Sequence, residues 1–231
     1  MASLLKNCEQ QNFLLNEFYK IISSHKVELF NKIAAQRTRH ITVVLENVYQ
    51  EHNASAVLRT CDCFGVQDLN IIEKGVKYKV QRDIALGSGR WVDVHQFNQG
   101  NDVQDDCINY LKTKSFQLIA TSPHSEKSIE SIDLSKPTAF LFGTERQGLS
   151  TYLLNQADET ICIPMYGFTE SFNISVSVAL ILQHTRNILE KSNINWKLTE
   201  FDQNQLKIEW SKKILNGGEE LEKFFINEFL K

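Results

Sequence analysis

The spacing of apolar residues changes character along the chain and divides it into three stretches. Leu14, Phe18, Ile21 and Ile22 recur at helical spacing, and Leu29, Phe30 and Ile33 form a second such stripe, so the first forty residues are predicted helical. From Ile41 the pattern becomes the β-branched run ITVVLENV, which predicts a buried strand. HNASAVLRTCDCFG follows, with Asn53 expected as an N-cap, Ala54 to Phe64 as a helix and Gly65 as its stop. Further strands are predicted at 68–73, 92–97, 116–121, 137–142 and 160–165, with helical stretches near 102–113 and 149–157. After Asn173 a helix carries Ile174, Val178, Ile181, Thr185 and Ile188 or Leu189 on one side, as far as about Lys191. SNINW reads as a linker. Beyond it, Leu206, Trp210 and Ile214 mark one amphipathic helix, and Leu221, Phe224, Phe225 and Phe229 another, split by Gly217-Gly218.

Strands alternating with helices predict an α/β fold with a mainly parallel sheet. The organisation is then a helical N-terminal arm (1–40), an α/β domain (41–191) and a helical C-terminal arm (192–231).

Composition narrows the picture. The chain has 231 residues, 42% of them hydrophobic and 23% charged, which matches globular proteins and excludes disorder or collagen. The uncharged stretch Ser171 to Thr185 is shorter than the about 20 residues of a membrane span, and MASLLKNCEQQNF lacks the apolar run of a signal peptide. Five cysteines show neither a disulfide framework nor a zinc pattern, which points to a reducing compartment and a cytoplasmic protein. The net charge of −3 argues weakly against a nucleic-acid partner. Residues 1–40, however, carry six Lys/Arg against three acids, while 41–120 carry eight against ten.

Three segments hold candidate chemistry. His52, Asn53 and Arg59 follow the first strand, where ligands of open α/β sheets gather, although on spacing alone a plain cap and a surface arginine account for them more readily. In FLFGTERQGLS (140–150) an apolar strand runs into Gly143 and a polar loop, which is either a turn or a place where a ligand approaches the backbone. ICIPMYGFTESFNIS (161–175) contains both Ser171 and Asn173, and capping explains only one of them. GSGRWV at 87–92 lacks the third glycine and the strand-to-helix context of a dinucleotide fingerprint.

Taken together, the order and spacing of these segments resemble the three signature motifs of the SpoU/TrmH branch of the SPOUT RNA methyltransferases, over roughly Arg37 to Lys191. RTRHITVVLENVYQEHNASAVLRTCDCFG is most similar to the first motif of the TrmH type, whose members methylate the ribose 2′-hydroxyl of the D-loop guanosine at position 18 of tRNA. The resemblance implies a SPOUT fold with a C-terminal trefoil knot, a homodimer formed through the knot, S-adenosylmethionine as methyl donor, and no metal. It implies catalytic roles for Arg59, Asn53, Glu145, Ser171 and Asn173, with His52 a weaker neighbour. It places Thr121, Gly143, Ile163, Met165 and Phe172 around the methyl donor. A guanidinium is a poor base, its free pKa lying above about 12, so Arg59 is expected to clamp a substrate phosphate that relays the proton. Lys32, Arg37, Arg39 and His40 are the expected RNA contacts, with Arg146 and Lys212-Lys213 weaker ones.

Two neighbouring readings are an enzyme of this branch acting on ribosomal RNA and a non-catalytic RNA-binding protein on the same fold. A dinucleotide-dependent oxidoreductase would need the glycine fingerprint that is absent.

Overall fold

A computed structural model of the protein describes residues 8–48, 50–75, 77–79, 81–100 and 102–231. The opening residues read above as lacking a signal peptide therefore lie largely outside the described part. The chain divides into two compact units, one comprising residues 38–196 and the other joining the chain's two ends.

The larger unit is built on six parallel strands. These are β1 (Ile41–Glu46), β2 (Asp68–Ile72), β3 (Asp93–Phe97), β4 (Gln117–Thr121), β5 (Thr138–Phe142) and β6 (Glu159–Ile161), in the order β3-β2-β1-β5-β4-β6. Parallel sheets are covered on both faces. Accordingly every residue of β1, β2 and β5 is buried. The covering helices are α3 (Glu51–Cys63), α4 (Arg82–Ala85), α5 (Val103–Thr113), α6 (Thr151–Gln156) and α7 (Ile174–Lys191). One face packs Leu58, Val178 and Ile181 against Leu45 and Phe140; the other packs Ile108 and Leu153 against Val44 and Leu141.

Successive connections leave β1 toward β2 and β3, but leave β5 toward β6. The order therefore reverses between β1 and β5, and the carboxyl ends of these two strands border the crevice where open α/β sheets bind ligands.

Most strand predictions agree with the structure to within a residue or so; the last is corrected. A strand over 160–165 becomes the three-residue β6, because Pro164 has no N–H to extend the ladder. Nor is SNINW a plain linker. Trp196 is buried, its carbonyl accepts from Thr38 Oγ1 at 2.5 Å, and the Arg186 guanidinium lies 4.0 Å from its ring centroid.

In the smaller unit, α1 (Cys8–Ile21), α2 (Ser24–Ala34), α8 (Glu200–Ile214) and α9 (Gly218–Phe229) share a core of Leu14, Leu15, Phe18, Ile22 and Ile208. The two arms, expected as separate segments, thus form one body. Ile21 and Phe224, placed on apolar stripes by spacing, are exposed. Among the described residues no helix is long and apolar enough to cross a membrane.

The amino-terminal edge of the sheet is held by a charged latch. Arg39, just before β1, pairs through Nη1 with Asp68 and through Nη2 with Asp93 at 2.7 Å, and His95 Nε2 donates to Asp68 at 2.7 Å. Burial pushes the Asp68 carboxyl up. The His95 hydrogen bond and the Arg39 charge outweigh it and hold the group below the usual carboxylate range. A depressed folded pKa contributes stability above the ordinary value of about 3.9, and that stability is lost as pH falls through the lowered value. Asp68→Asn is therefore expected to cost about 2 kcal/mol at neutral pH and to flatten the acid limb of the stability curve. Urea unfolding at pH 7 and pH 3 measures both, and an unchanged acid limb contradicts the latch.

Candidate active site

After Glu46 the chain turns through Asn47, whose φ of 51° lies in the left-handed region that Asn tolerates, and enters α3 at Glu51. The residue in cap position is Gln50, not Asn53. Asn53 sits inside the first turn, 3% exposed, because its amide is occupied elsewhere. Its Nδ2 donates to Gln50 Oε1 at 2.9 Å and to Glu145 Oε1 at 2.8 Å.

Glu145 is supplied by the loop after β5. Thr144 and Gly148 exchange backbone hydrogen bonds at 3.0 and 2.9 Å, closing a tight turn in which Gly148 takes φ 68°. Gly143 enters the turn so close to its exit that a Cβ there would lie 2.0 Å from the Gly148 carbonyl carbon. At the far end the buried Glu46 carboxylate accepts from Ser150 N–H at 2.8 Å and from Gln104 Nε2 at 2.6 Å. Ser150 caps α6 through Leu153 N–H. The loop is thus fastened at both ends to strands of the sheet, and Glu145 stands at its tip.

The third segment meets the other two at the start of α7. Asn173 is that helix's N-cap, its Oδ1 accepting from Ser175 N–H at 2.9 Å. Its Nδ2 donates to Glu145 Oε1 at 2.7 Å and to Asn53 Oδ1 at 3.0 Å. One carboxylate oxygen therefore receives two amide N–H groups from segments far apart in the chain. Glu145 Oε2 enters no hydrogen bond among the described residues and is the acceptor this cluster leaves for a ligand.

Of the five residues expected to be catalytic, the structure brings together Asn53, Glu145 and Asn173. Arg59 is exposed further along α3, and no hydrogen bond among the described residues joins it to the cluster. Ser171 and His52 are exposed as well.

Two cavities flank the Glu145 loop and share Thr144, Glu145, Arg146, Gln147 and Ile174 as walls. The first, of 410 Å³, is completed by Gln50, Asn53 and Val48. Into the second, of 370 Å³, face all five expected donor contacts: Thr121, Gly143, Ile163, Met165 and Phe172. A volume in the range of small-molecule sites and the strand-end backbone at Thr121 and Gly143 suit a nucleoside-sized ligand. Gln50 and Gln147 were not singled out by the sequence, and only their proximity to motif residues could have marked them. Among the described residues no group of His, Cys, Asp and Glu is arranged to hold a metal ion.

The expected RNA contacts fare differently. Lys32 is exposed on α2, and Arg146 is exposed at the rim of both cavities. Arg37 is 1% exposed, with its guanidinium 5.6 Å from the Trp210 ring centroid within the helical unit. Arg39 is committed to the latch, at the opposite end of β1 from Asn53, and His40 Nε2 donates to the Leu134 carbonyl at 2.8 Å. Lys212 is held by Glu209, Glu219 and Glu222. A residue count registers such charges as available, whereas the fold has already used them.

A family model described as the SpoU rRNA Methylase family matches residues 40–183. The chain is 33% identical over 204 residues to the tRNA (guanosine(18)-2'-O)-methyltransferase of Borreliella burgdorferi, covering 88% of this chain and 92% of that one. It is 32% identical over 190 residues to the Escherichia coli (strain K12) protein of the same description, covering 80% and 81%. The crystal structure of the A. aeolicus TrmH/SpoU tRNA modifying enzyme matches with a TM-score of 0.73 at 30% identity, covering 83% of this chain and 98% of that one. The SpoU methyltransferase AviRb of Streptomyces viridochromogenes, solved in complex with AdoMet, shares the fold with a TM-score of 0.61 at 19% identity, covering 70% and 65%.

Gly143 gives the sharpest local test. Gly143→Ala forces the loop backbone apart, with an expected loss of about 3 kcal/mol in denaturant unfolding. A variant as stable as wild type would mean that the turn is not closed as described.

Proposed function

Because the chain belongs to the SpoU methylase family, we propose that it transfers a methyl group from S-adenosylmethionine to a ribose 2′-hydroxyl of tRNA, at the D-loop guanosine of position 18. The observation that carries this reading is the meeting of Asn53, Glu145 and Asn173 between two cavities, with all five expected donor contacts lining one of them. The donor fits the 370 Å³ cavity, where the Gly143 backbone and the Thr121 strand end offer close approach, and the acceptor nucleotide enters the 410 Å³ cavity. Bound S-adenosylmethionine supplies an electrophilic methyl on a sulfonium and departs as a neutral thioether.

The protein's own task is to aim a very weakly acidic hydroxyl and to find a route for its proton. Glu145 Oε2 accepts a hydrogen bond from the ribose, while Asn53 and Asn173 hold Oε1 and so fix the plane of the carboxylate. Arg59 clamps a substrate phosphate by a charge-assisted hydrogen bond, and that phosphate passes the proton to solvent. Ser171 orients the ribose from the third motif, and Lys32 and Arg146 contact phosphates. We also propose a homodimer through the knot expected for this family. Tyr166, Phe168, Val176 and Leu180 are exposed on the loop before α7 and on α7 itself, an apolar surface that a second copy would cover. The enzyme then works where tRNA is processed, in the cytoplasm.

Two substitutions test the assignment. Arg59→Ala should lower single-turnover methyl transfer at least a hundredfold while calorimetric S-adenosylmethionine affinity stays within twofold; activity within tenfold of wild type contradicts the role. Glu145→Gln keeps an oxygen for Asn53 and Asn173 but puts a donor where Oε2 stood. Its melting temperature should stay close to wild type while methyl transfer falls about a hundredfold. Mapping ribose methylation on tRNA and rRNA incubated with the protein separates the two substrate classes.

A further inference from the structure

Residues 74–90 carry five Lys/Arg (Lys74, Lys77, Lys79, Arg82 and Arg90) against the single acid Asp83, in a chain whose net charge is −3. This stretch leaves the carboxyl end of β2, the same end of the sheet that carries the Glu145 cluster, and returns to β3. Its course along α3 is fixed by specific contacts. Gln81 N–H donates to Ser55 Oγ at 2.7 Å, and that hydroxyl donates to the Glu51 carbonyl at 2.6 Å. Tyr78 packs on the main core, and its N–H donates to Glu73 Oε2 at 3.1 Å. Burial raises the Tyr78 phenol, in keeping with a side chain turned inward. The flanking Lys77 and Lys79 are exposed. Farther on, a side chain at Gly89 would meet Leu58 of α3 at 3.6 Å, and the neighbouring Arg90 is exposed.

The connection therefore lies along the helix whose first turn, through Gln50 and Asn53, lines the 410 Å³ cavity. Lys79 reaches Glu51 at 3.5 Å between two exposed side chains, a pairing that is weak in water. Among the described residues no ion pair involves Lys77 or Arg90. In this they differ from Arg37 and Arg39, which the fold has buried or paired.

We propose that the β2–β3 connection is a phosphate-binding surface for the substrate RNA, with Lys77 and Lys79 contacting the backbone of nucleotides that flank the one in the cavity and Arg90, near the start of β3, a phosphate farther along the strand. The inference rests on the RNA-methylating reading and adds to it the surface that takes the polyanion. Exposed cations spread along one connection, from the start of α3 to its end, suit a chain of regularly spaced phosphates, and they read charge without reading sequence.

The test is salt-dependent binding of tRNA to the full-length wild-type protein and to a Lys77→Ala/Lys79→Ala/Arg90→Ala variant. The variant should bind at least tenfold more weakly at 0.15 M salt, and the slope of log affinity against log salt should shrink by about 2–3. S-adenosylmethionine affinity should be unchanged, and Lys77→Arg/Lys79→Arg/Arg90→Lys should keep the wild-type slope. An unchanged slope overturns the proposal, as does a variant that loses S-adenosylmethionine binding along with RNA. A wild-type protein that methylates no RNA overturns the functional reading instead, and the binding slopes are read independently of that result.

Discussion

The architecture of the site depends on a single oxygen. Glu145 Oε1 receives hydrogen bonds from Asn53 at 2.8 Å and Asn173 at 2.7 Å, and Asn173 also reaches Asn53 Oδ1 at 3.0 Å. Each partner comes from a different connection: one follows β1, one follows β5 and one opens α7. A carboxylate that accepts two amide N–H groups is held in one orientation, so its second oxygen has a defined direction. The two cavities meet along the loop that carries it.

The rest of the larger unit serves that arrangement. Sheet order reverses between β1 and β5, which brings the ends of these strands side by side. Gly143 lets the Glu145 loop turn back on itself with no room for a side chain, and the buried Glu46 carboxylate ties its exit to β1. The same tight turn walls the 370 Å³ cavity proposed for the methyl donor.

Much of this was legible in the sequence, for identifiable reasons. Parallel strands buried on both faces are continuous apolar runs, so β1, β2, β4 and β5 were found from hydropathy alone. The three motif segments stand out by their polar residues at strand ends, but the roles of Asn53, Glu145 and Asn173 come from the resemblance to the SpoU/TrmH motifs. Asn53 reads as a cap because the amide that suits a helix N-terminus also suits a carboxylate, and only the fold shows that it meets Glu145. Amphipathic stripes revealed that the arm helices bury a face, but not that both arms bury it in one unit. Charge is the property that composition shows least. Counting gave Arg37 and Arg39 to RNA although one is packed on Trp210 and the other is paired with Asp68 and Asp93. It also hid the basic 74–90 stretch inside a block with more acids than bases.

The central claim is that Asn53 and Asn173 act through Glu145 as one unit and not as separate contacts. A double-mutant cycle on single-turnover methyl transfer, with Asn53→Ala, Asn173→Ala and the double variant, measures it directly. If the claim holds, the double variant is scarcely slower than the worse of the two single variants. If the two losses multiply, each asparagine acts alone and the shared-oxygen account is wrong.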